Sequence, residues 1–248
     1  MIRITETVKI LIIINVLFFV GTMTLNDTAY HLFSEYFILH PSFQIWQPVT
    51  SMFMHFGPMH LLFNMLGLWM FGGPLEQIWG RNKFLFFYFS CGLGSFLLSQ
   101  GMDFYSFNTG LEGIVSAGFE KQEILVTLKD GLYNTGWVDI LGQESFDGFM
   151  KIFNTRSAGA SGAVMGLLVA FGMFHPNSSI SPMFLPISIK AKYYIPVLLA
   201  YEIFSGFVGS SSLFGMNVGH WAHVGGALFG FVMAYYWKKN SFNSKRWN

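Results

Sequence analysis

Two short stretches decide the fold: Gly-Ala-Ser-Gly at residues 159–162 and Ala-His-Val-Gly-Gly-Ala-Leu-Phe-Gly at residues 222–230. Both belong to long apolar runs, so Ser161 and His223 are polar side chains within segments that could cross a bilayer. Such residues are costly there unless they face the protein interior or a wet cavity, which makes them candidates for a functional site. The Ser161 hydroxyl could attack a carbonyl group, and the His223 imidazole could take its proton.

Glycines flank both side chains at a spacing that brings helices together. Gly162 and Gly166 are four residues apart, and so are Gly226 and Gly230. Small residues at this spacing let two membrane helices approach closely. We therefore expect these helices to meet backbone to backbone, so that a serine on one can reach a histidine on the other.

The composition is that of a membrane protein. Of the 248 residues, 52% are hydrophobic and only 11% are charged, against about 25% charged in soluble domains. We therefore expect an all-α protein embedded in the lipid bilayer, and the net charge of +1 gives no basic field for binding nucleic acid. Six segments fit the roughly 17–25 apolar residues of a spanning helix: residues 8–25, 58–79, 84–101, 158–174, 193–208 and 218–237.

The basic residues predict the orientation of these spans. Ten of the 14 Lys and Arg fall on one side of a six-span arrangement, which makes that side cytoplasmic. They are Arg3, Lys9, Arg81, Lys83, Lys190, Lys192, Lys238, Lys239, Lys245 and Arg246. The parity places Ser161 near the outer surface. We expect a multi-pass protein of the bacterial inner (plasma) membrane with cytoplasmic N- and C-termini.

One hydrophilic stretch interrupts the pattern. Residues 103–157 hold eight acidic and four basic residues and lie outside by the same parity. We expect a single membrane domain over residues 1–248, with residues 103–157 as an external insertion that governs access or choice of substrate. A tolerated loop without a role is the alternative, because long external loops cost little closure entropy.

Two further polar residues lie near the outer end of the second span. His60 and Asn64 are four apart, so they project from one helix face. Their N–H groups are suitable donors to the oxyanion that forms during hydrolysis of a carbonyl compound. The alternative is a structural hydrogen bond between helices.

Two other kinds of site compete with a hydrolase. His220, His223 and His60 could be zinc ligands, but zinc sites usually add Cys or carboxylate ligands, which no intramembrane acid obviously supplies. We therefore expect no metal and no other cofactor. A transporter could relay protons through Glu202 and Glu76, but the two halves of the chain show no internal symmetry.

Together the motifs resemble the rhomboid family of intramembrane serine proteases. Residues 159–162 resemble its Gly-x-Ser-Gly nucleophile motif, and residues 222–230 resemble its Ala-His-x-x-Gly-x-x-x-Gly motif. Residues 55–64 (His-x-x-x-x-His-x-x-x-Asn) are similar to its second-helix signature, and residues 72–80 match the Glu-bearing end of that helix.

The resemblance implies a six-transmembrane-helix, rhomboid-like bundle with a hydrophilic insertion between helices 3 and 4. It implies a serine endopeptidase that hydrolyses peptide bonds in or near the transmembrane segments of membrane protein substrates. Ser161 and His223 would form a catalytic dyad without an acid, and the Ser161 backbone N–H would bind the oxyanion with His60 and Asn64. Residues 27–57 would be the family's interfacial hairpin, and the connection preceding helix 6 its mobile cap.

Four features depart from the family. Gln47 stands where loop 1 often has an arginine, Ser51 where some members have a histidine, and Met165 where many place a tyrosine against the catalytic imidazole. The insertion at residues 103–157 is absent from minimal members. These departures leave open a catalytically inactive, rhomboid-like membrane protein that binds transmembrane clients. The sequence does not specify an oligomeric state.

Overall fold

A computed structural model describes residues 4–181, 187–209 and 219–244, and this part of the chain is mostly helical. The helices are α1 (Glu6–Leu25), α2 (Asp27–Phe33), α3 (Gln47–Thr50), α4 (Pro58–Gly67), α5 (Gly73–Trp79), α6 (Arg81–Ser116), α7 (Lys121–Lys129), α8 (Gly136–Leu141), α9 (Gln143–Asn154), α10 (Ser161–Phe174), α11 (Ala191–Val208) and α12 (His220–Ser244). A 3₁₀ turn covers Ser51–Phe53. Beside these helices, the described residues contain two antiparallel pairs of two-residue strands: β1 (Glu35–Tyr36) with β2 (Arg156–Ser157), and β3 (Ser179–Ile180) with β4 (Ile189–Lys190).

The helix bounds agree with the prediction for the second span but not for the third. The second is an unbroken helical run, in which a π-helical segment (Leu68–Gly72) joins α4 to α5, and its ends match the predicted residues 58–79. The third was expected to end at residue 101, but α6 continues to Ser116. Beyond the apolar stretch, α6 buries Phe107, Leu111 and Ile114, whose spacing of four and three keeps one face apolar. A search for uniformly apolar spans does not detect such a face.

Two described helices, α1 and α6, are long and apolar enough to cross a membrane. The apolar helix α10 has only 14 residues. Among the described residues, length and composition do not identify the other predicted spans as membrane-crossing helices. The six-span arrangement therefore remains a prediction.

Helix α10 is the centre of the bundle. It packs against α6, α11, α12 and the helical run from α4 to α5. Small and aliphatic side chains occupy most of its length, and residues 165–170 are all buried. Because α10 is enclosed by its neighbours, the position of its first residue is fixed by packing on several sides.

The insertion has an apolar core of its own. This core is built from the end of α6 and from α7, α8 and α9, and it also takes in Phe37 from the connection between α1 and α4. Its buried members are Phe37, Phe107, Leu111, Ile114, Ile124, Leu128, Trp137, Phe146, Phe149 and Phe153. The insertion is therefore packed against the connection between α1 and α4.

Polar contacts fix the same junction. Strands β1 and β2 pair residue 35 with residue 157, and the Gln100 side-chain amide donates to Glu35 Oε1 at 2.8 Å. Burial raises the pKa of the Glu35 carboxyl from its ordinary 4.5 to about 8, so this group is mostly protonated at neutral pH. Because the pKa of Glu35 is higher in the folded than in the unfolded chain, its contribution to stability is fully present below pH 4.5. That contribution is lost as the pH rises through about 8.

Glu76 lies near the C-terminal end of the run from α4 to α5 and has a structural role. Its carboxylate accepts the backbone N–H groups of Thr7 and Val8 at 3.1 Å each and the hydroxyl of Thr5. Two of these bonds go to the first turn of α1, where N–H groups lack partners within the helix, and the third comes from Thr5, the residue before it. Glu76 therefore caps α1, which accounts for one of the two carboxylates considered for proton relay.

Candidate active site

Ser161 is the first residue of α10 and is partly exposed. The first N–H groups of a helix have no intrahelical partner, and the positive end of its dipole lies there. The preceding Gly159 has φ of +128°, a conformation that favours glycine. Its N–H donates to the Ser51 carbonyl at 2.9 Å. The turn that presents Ser161 is thus held against the connection between α1 and α4.

Helices α10 and α12 touch through their glycines. A Cβ added to Gly226 would lie 1.9 Å from the carbonyl oxygen of Gly162, and one added to Gly230 would lie 2.6 Å from the Cα of Gly166. No larger side chain fits at either position without moving backbone. The predicted close approach of the two glycine faces is confirmed.

This contact joins the immediate neighbours of the two proposed catalytic residues. Gly162 follows Ser161, and a Cβ added to it would lie 3.2 Å from the carbonyl oxygen of Ala222, which precedes His223. The same Cβ would lie 2.1 Å from the Ser95 hydroxyl of α6. Three helices therefore fix the backbone on which Ser161 and His223 are mounted, while the hydrogen bond between the two side chains stays a prediction.

His60 and Asn64 lie beside the turn before Ser161. A Cβ added to Gly159 would lie 2.7 Å from His60 Nε2 and 3.7 Å from Asn64 Nδ2. One N–H of the Asn64 amide donates to the His60 carbonyl at 2.9 Å, which leaves its second N–H for another acceptor. His60 and Asn64 thus lie beside the turn that precedes Ser161, and their role as oxyanion donors stays a prediction.

One carboxylate that we did not predict as a site residue contacts two histidines of α12. Glu202 of α11 accepts a hydrogen bond from His220 Nδ1 at 2.7 Å through Oε2, and its Oε1 is 3.1 Å from His223 Nδ1. The second contact is short but outside hydrogen-bond alignment. The sequence signal was an acid inside an apolar span, but its partners are on another helix.

The metal site considered from the sequence does not form a cluster. Across residues 4–181, 187–209 and 219–244, no three His, Cys, Asp or Glu side chains converge in a metal-binding arrangement. Glu202 approaches His220 and His223 through their Nδ1 atoms, which is a contact between a carboxylate and two imidazoles.

Comparison with known proteins identifies the family. The Rhomboid domain family matches residues 42–240, a range that includes all four predicted site residues and Glu202. This chain belongs to the rhomboid family. Its bacterial relatives include "Rhomboid protease GlpG" of Yersinia pestis (strain Pestoides F), 34% identical over 148 residues, which are 52% of this chain and 48% of the relative. The protein of that name from Salmonella newport (strain SL254) is 30% identical over 144 residues, 52% of this chain and 49% of the relative. The chain thus matches about half the length of these curated relatives. Rhomboid membership and the apolar helices point to an integral membrane protein.

The positions that depart from other rhomboids are integrated into this fold. Gln47 is buried, its Oε1 accepts N–H groups of Tyr36 and Gln44, and its Nε2 donates to the Ser42 carbonyl at 3.0 Å. Gln47 therefore orders the connection between α1 and α4 without a charge. Met165 is buried in α10. The predicted cap, the connection preceding helix 6, falls largely on residues 210–218, outside the described residues.

Proposed function

We propose that this rhomboid is an intramembrane serine endopeptidase that cleaves membrane proteins in or near their transmembrane segments. Ser161 is the nucleophile and His223 the general base. The observation that carries the proposal is the backbone contact between α10 and α12, which joins Gly162 to Ala222 and Gly226. A serine and a histidine next to such a contact have little freedom to separate.

The chemistry proceeds through an acyl-enzyme. The Ser161 hydroxyl oxygen attacks the scissile carbonyl carbon while His223 takes its proton. His223 then gives that proton to the leaving amine as the C–N bond breaks. A water molecule repeats the attack on the ester, and its proton passes through His223 back to Ser161. Because Nδ1 of His223 faces Glu202, the ring nitrogen that exchanges this proton is Nε2.

The oxyanion is stabilised from two sides. The Ser161 N–H belongs to the first turn of α10, where it points away from any intrahelical acceptor. His60 Nε2 and the second N–H of Asn64 approach the same turn from α4. Donors in fixed positions stabilise the developing negative charge without reorganising during the reaction.

The proposed setting is a six-helix bundle with Ser161 near the outer face of a bacterial inner membrane. The six spans are the helical run from α4 to α5 and the helices α1, α6, α10, α11 and α12. Substrates are transmembrane segments of other proteins. A helical substrate hides its carbonyl groups in intrahelical bonds, so the cleaved segments contain Gly, Pro or other helix-weakening residues near the cut.

The decisive experiment combines covalent labelling and proteolysis. Purified wild-type protein should react with a fluorophosphonate at Ser161 and cleave a transmembrane reporter in liposomes. Ser161→Ala and His223→Ala should each abolish cleavage, because one removes the nucleophile and the other the base. Ser95→Ala is the matched control, since Ser95 of α6 lies beside Gly162 of α10 and has no proposed chemical role.

The controls distinguish this proposal from its alternatives. Cleavage at the wild-type rate by either catalytic variant would disprove the dyad. A folded wild-type protein that neither reacts with fluorophosphonate nor cleaves any reporter, yet binds transmembrane segments, would be an inactive, client-binding rhomboid. Activity lost in EDTA and restored by zinc would indicate a metalloenzyme.

A further inference from the structure

We infer that Glu202 is a positioning residue for His223, the proposed general base. This inference rests on the proposed function. Its basis is the cluster in which one buried carboxylate faces Nδ1 atoms of two histidines one turn apart on α12, at 2.7 Å from His220 and 3.1 Å from His223.

Burial makes this contact significant. The side chains of Glu202, His220 and His223 are only 8%, 6% and 14% exposed. A carboxylate removed from water is costly unless N–H donors satisfy it. The aligned donor to the Glu202 carboxylate is His220 Nδ1 of α12, and His223 Nδ1 of the same helix lies 3.1 Å from its other oxygen. The Glu202 carboxylate therefore interacts with the histidines of α12.

The two histidines have different functions in this cluster. His220 makes an aligned hydrogen bond to Oε2 and so fixes the carboxylate against α12. This bond leaves Oε1 directed at His223 Nδ1. The Oε1 contact has the length of a hydrogen bond at 3.1 Å, and catalytic hydrogen bonds are often misaligned before substrate binds. His220 thus anchors the acid that positions His223.

The chemical consequence is control of the tautomer. A proton on Nδ1 that points at a carboxylate leaves Nε2 unprotonated, as a general base requires, and the carboxylate then stabilises the imidazolium that forms. Helix packing can fix the direction of the ring, but it cannot by itself select the protonated nitrogen. A carboxylate supplies that selection.

Kinetics of three variants test the role. Glu202→Gln should lower kcat on the liposome reporter by on the order of 10²–10⁴-fold, as loss of the acid does in serine proteases, with a much smaller change in KM. Glu202→Asp keeps the charge and should recover part of the lost kcat. Glu76→Gln makes the same chemical change at a buried carboxylate that caps α1; it should lower Tm but leave kcat unchanged below the unfolding transition.

A second measurement does not depend on how the Glu202 variants fold. Nitrogen-15 NMR of histidine-labelled wild-type protein, with the His223 signal assigned by its loss in His223→Gln, reports which ring nitrogen carries the proton. The neutral ring should be protonated at Nδ1. Protonation at Nε2 would overturn the inference even if every Glu202 variant misfolded.

The outcomes separate this inference from the proposed function. If wild-type protein cleaves the reporter and Glu202→Gln does so with the same kcat, Glu202 is only a structural link between α11 and α12 and the dyad stands. If Glu202→Gln and Glu202→Asp lose activity equally and in proportion to Tm, the role is again structural. If wild-type protein shows neither labelling nor cleavage, the proposed function fails, and the positioning role of Glu202 fails with it.

Discussion

Gly226→Ala tests whether the contact between α10 and α12 sets the catalytic geometry. The added Cβ would lie 1.9 Å from the carbonyl oxygen of Gly162 and 2.5 Å from its carbonyl carbon. Both are backbone atoms, so no side chain can rotate away. Since ordinary contact begins at 3.4 Å, the helices must separate or slide by about 1.5 Å at this level, because repulsion rises steeply below that distance.

The displacement reaches His223, which lies one turn before Gly226 on the same helix. A misplacement of about 1 Å at a reacting group can cost on the order of 10²-fold in rate, so kcat should fall by at least that factor. Overpacking costs about 1–3 kcal/mol, while replacing a helical glycine by alanine gains up to about 1 kcal/mol. The variant should therefore be less stable than wild type, although the substitution favours helix formation.

Kinetics in liposomes and thermal unfolding in detergent measure these two effects. Gly101→Ala on α6 is the control, because no described atom lies within 4 Å of its added Cβ. It should keep full activity and unfold at the same or a slightly higher temperature. Wild-type kcat and Tm in Gly226→Ala would refute the view that the glycine contact positions the two side chains.

Three further perturbations address the donors, the buried acid and the insertion. Asn64→Ala should lower turnover by on the order of 10²–10³, less than Ser161→Ala does, because other oxyanion donors remain; full activity with reduced Tm would make Asn64 structural. Glu35→Gln removes a group whose pKa is about 8, so its Tm should equal that of wild type near pH 5 and exceed it near pH 9, where the wild-type carboxyl must ionise while buried. Parallel Tm curves would contradict the raised pKa. Replacing residues 107–151 by a short Gly/Ser linker should leave fluorophosphonate labelling of Ser161 intact while changing cleavage rates for membrane substrates. Unchanged rates would mark the insertion as a tolerated loop, and lost labelling in a folded protein would show that it shapes the site.

Features encoded locally could be predicted from the sequence. The two glycine pairs specify their own contact, because a spacing of four residues places both glycines of a pair on one helix face and nothing larger fits between the helices. His60 and Asn64 share a face for the same reason. The helical run from α4 to α5 begins and ends at the predicted residues 58 and 79. Pro58 suits a helix start, and Gly80, with φ of +74°, follows the last residue of the run.

Features that depend on contacts between distant segments could not be predicted. The end of α6 lacks the uniform hydrophobicity of a span, and its apolar face has a partner only once α9 and Phe37 have packed against it. Glu202 presents the same problem in chemical form. In the sequence it is one acid in an apolar run, compatible with a proton relay, a helix link or a catalytic group. Its meaning depends on the rotation of α11 relative to α12, which hydropathy does not encode. That rotation directs the carboxylate at the Nδ1 atoms of His220 and His223, on the side of the His223 ring opposite Nε2, the nitrogen that exchanges a proton with Ser161 in the proposed mechanism.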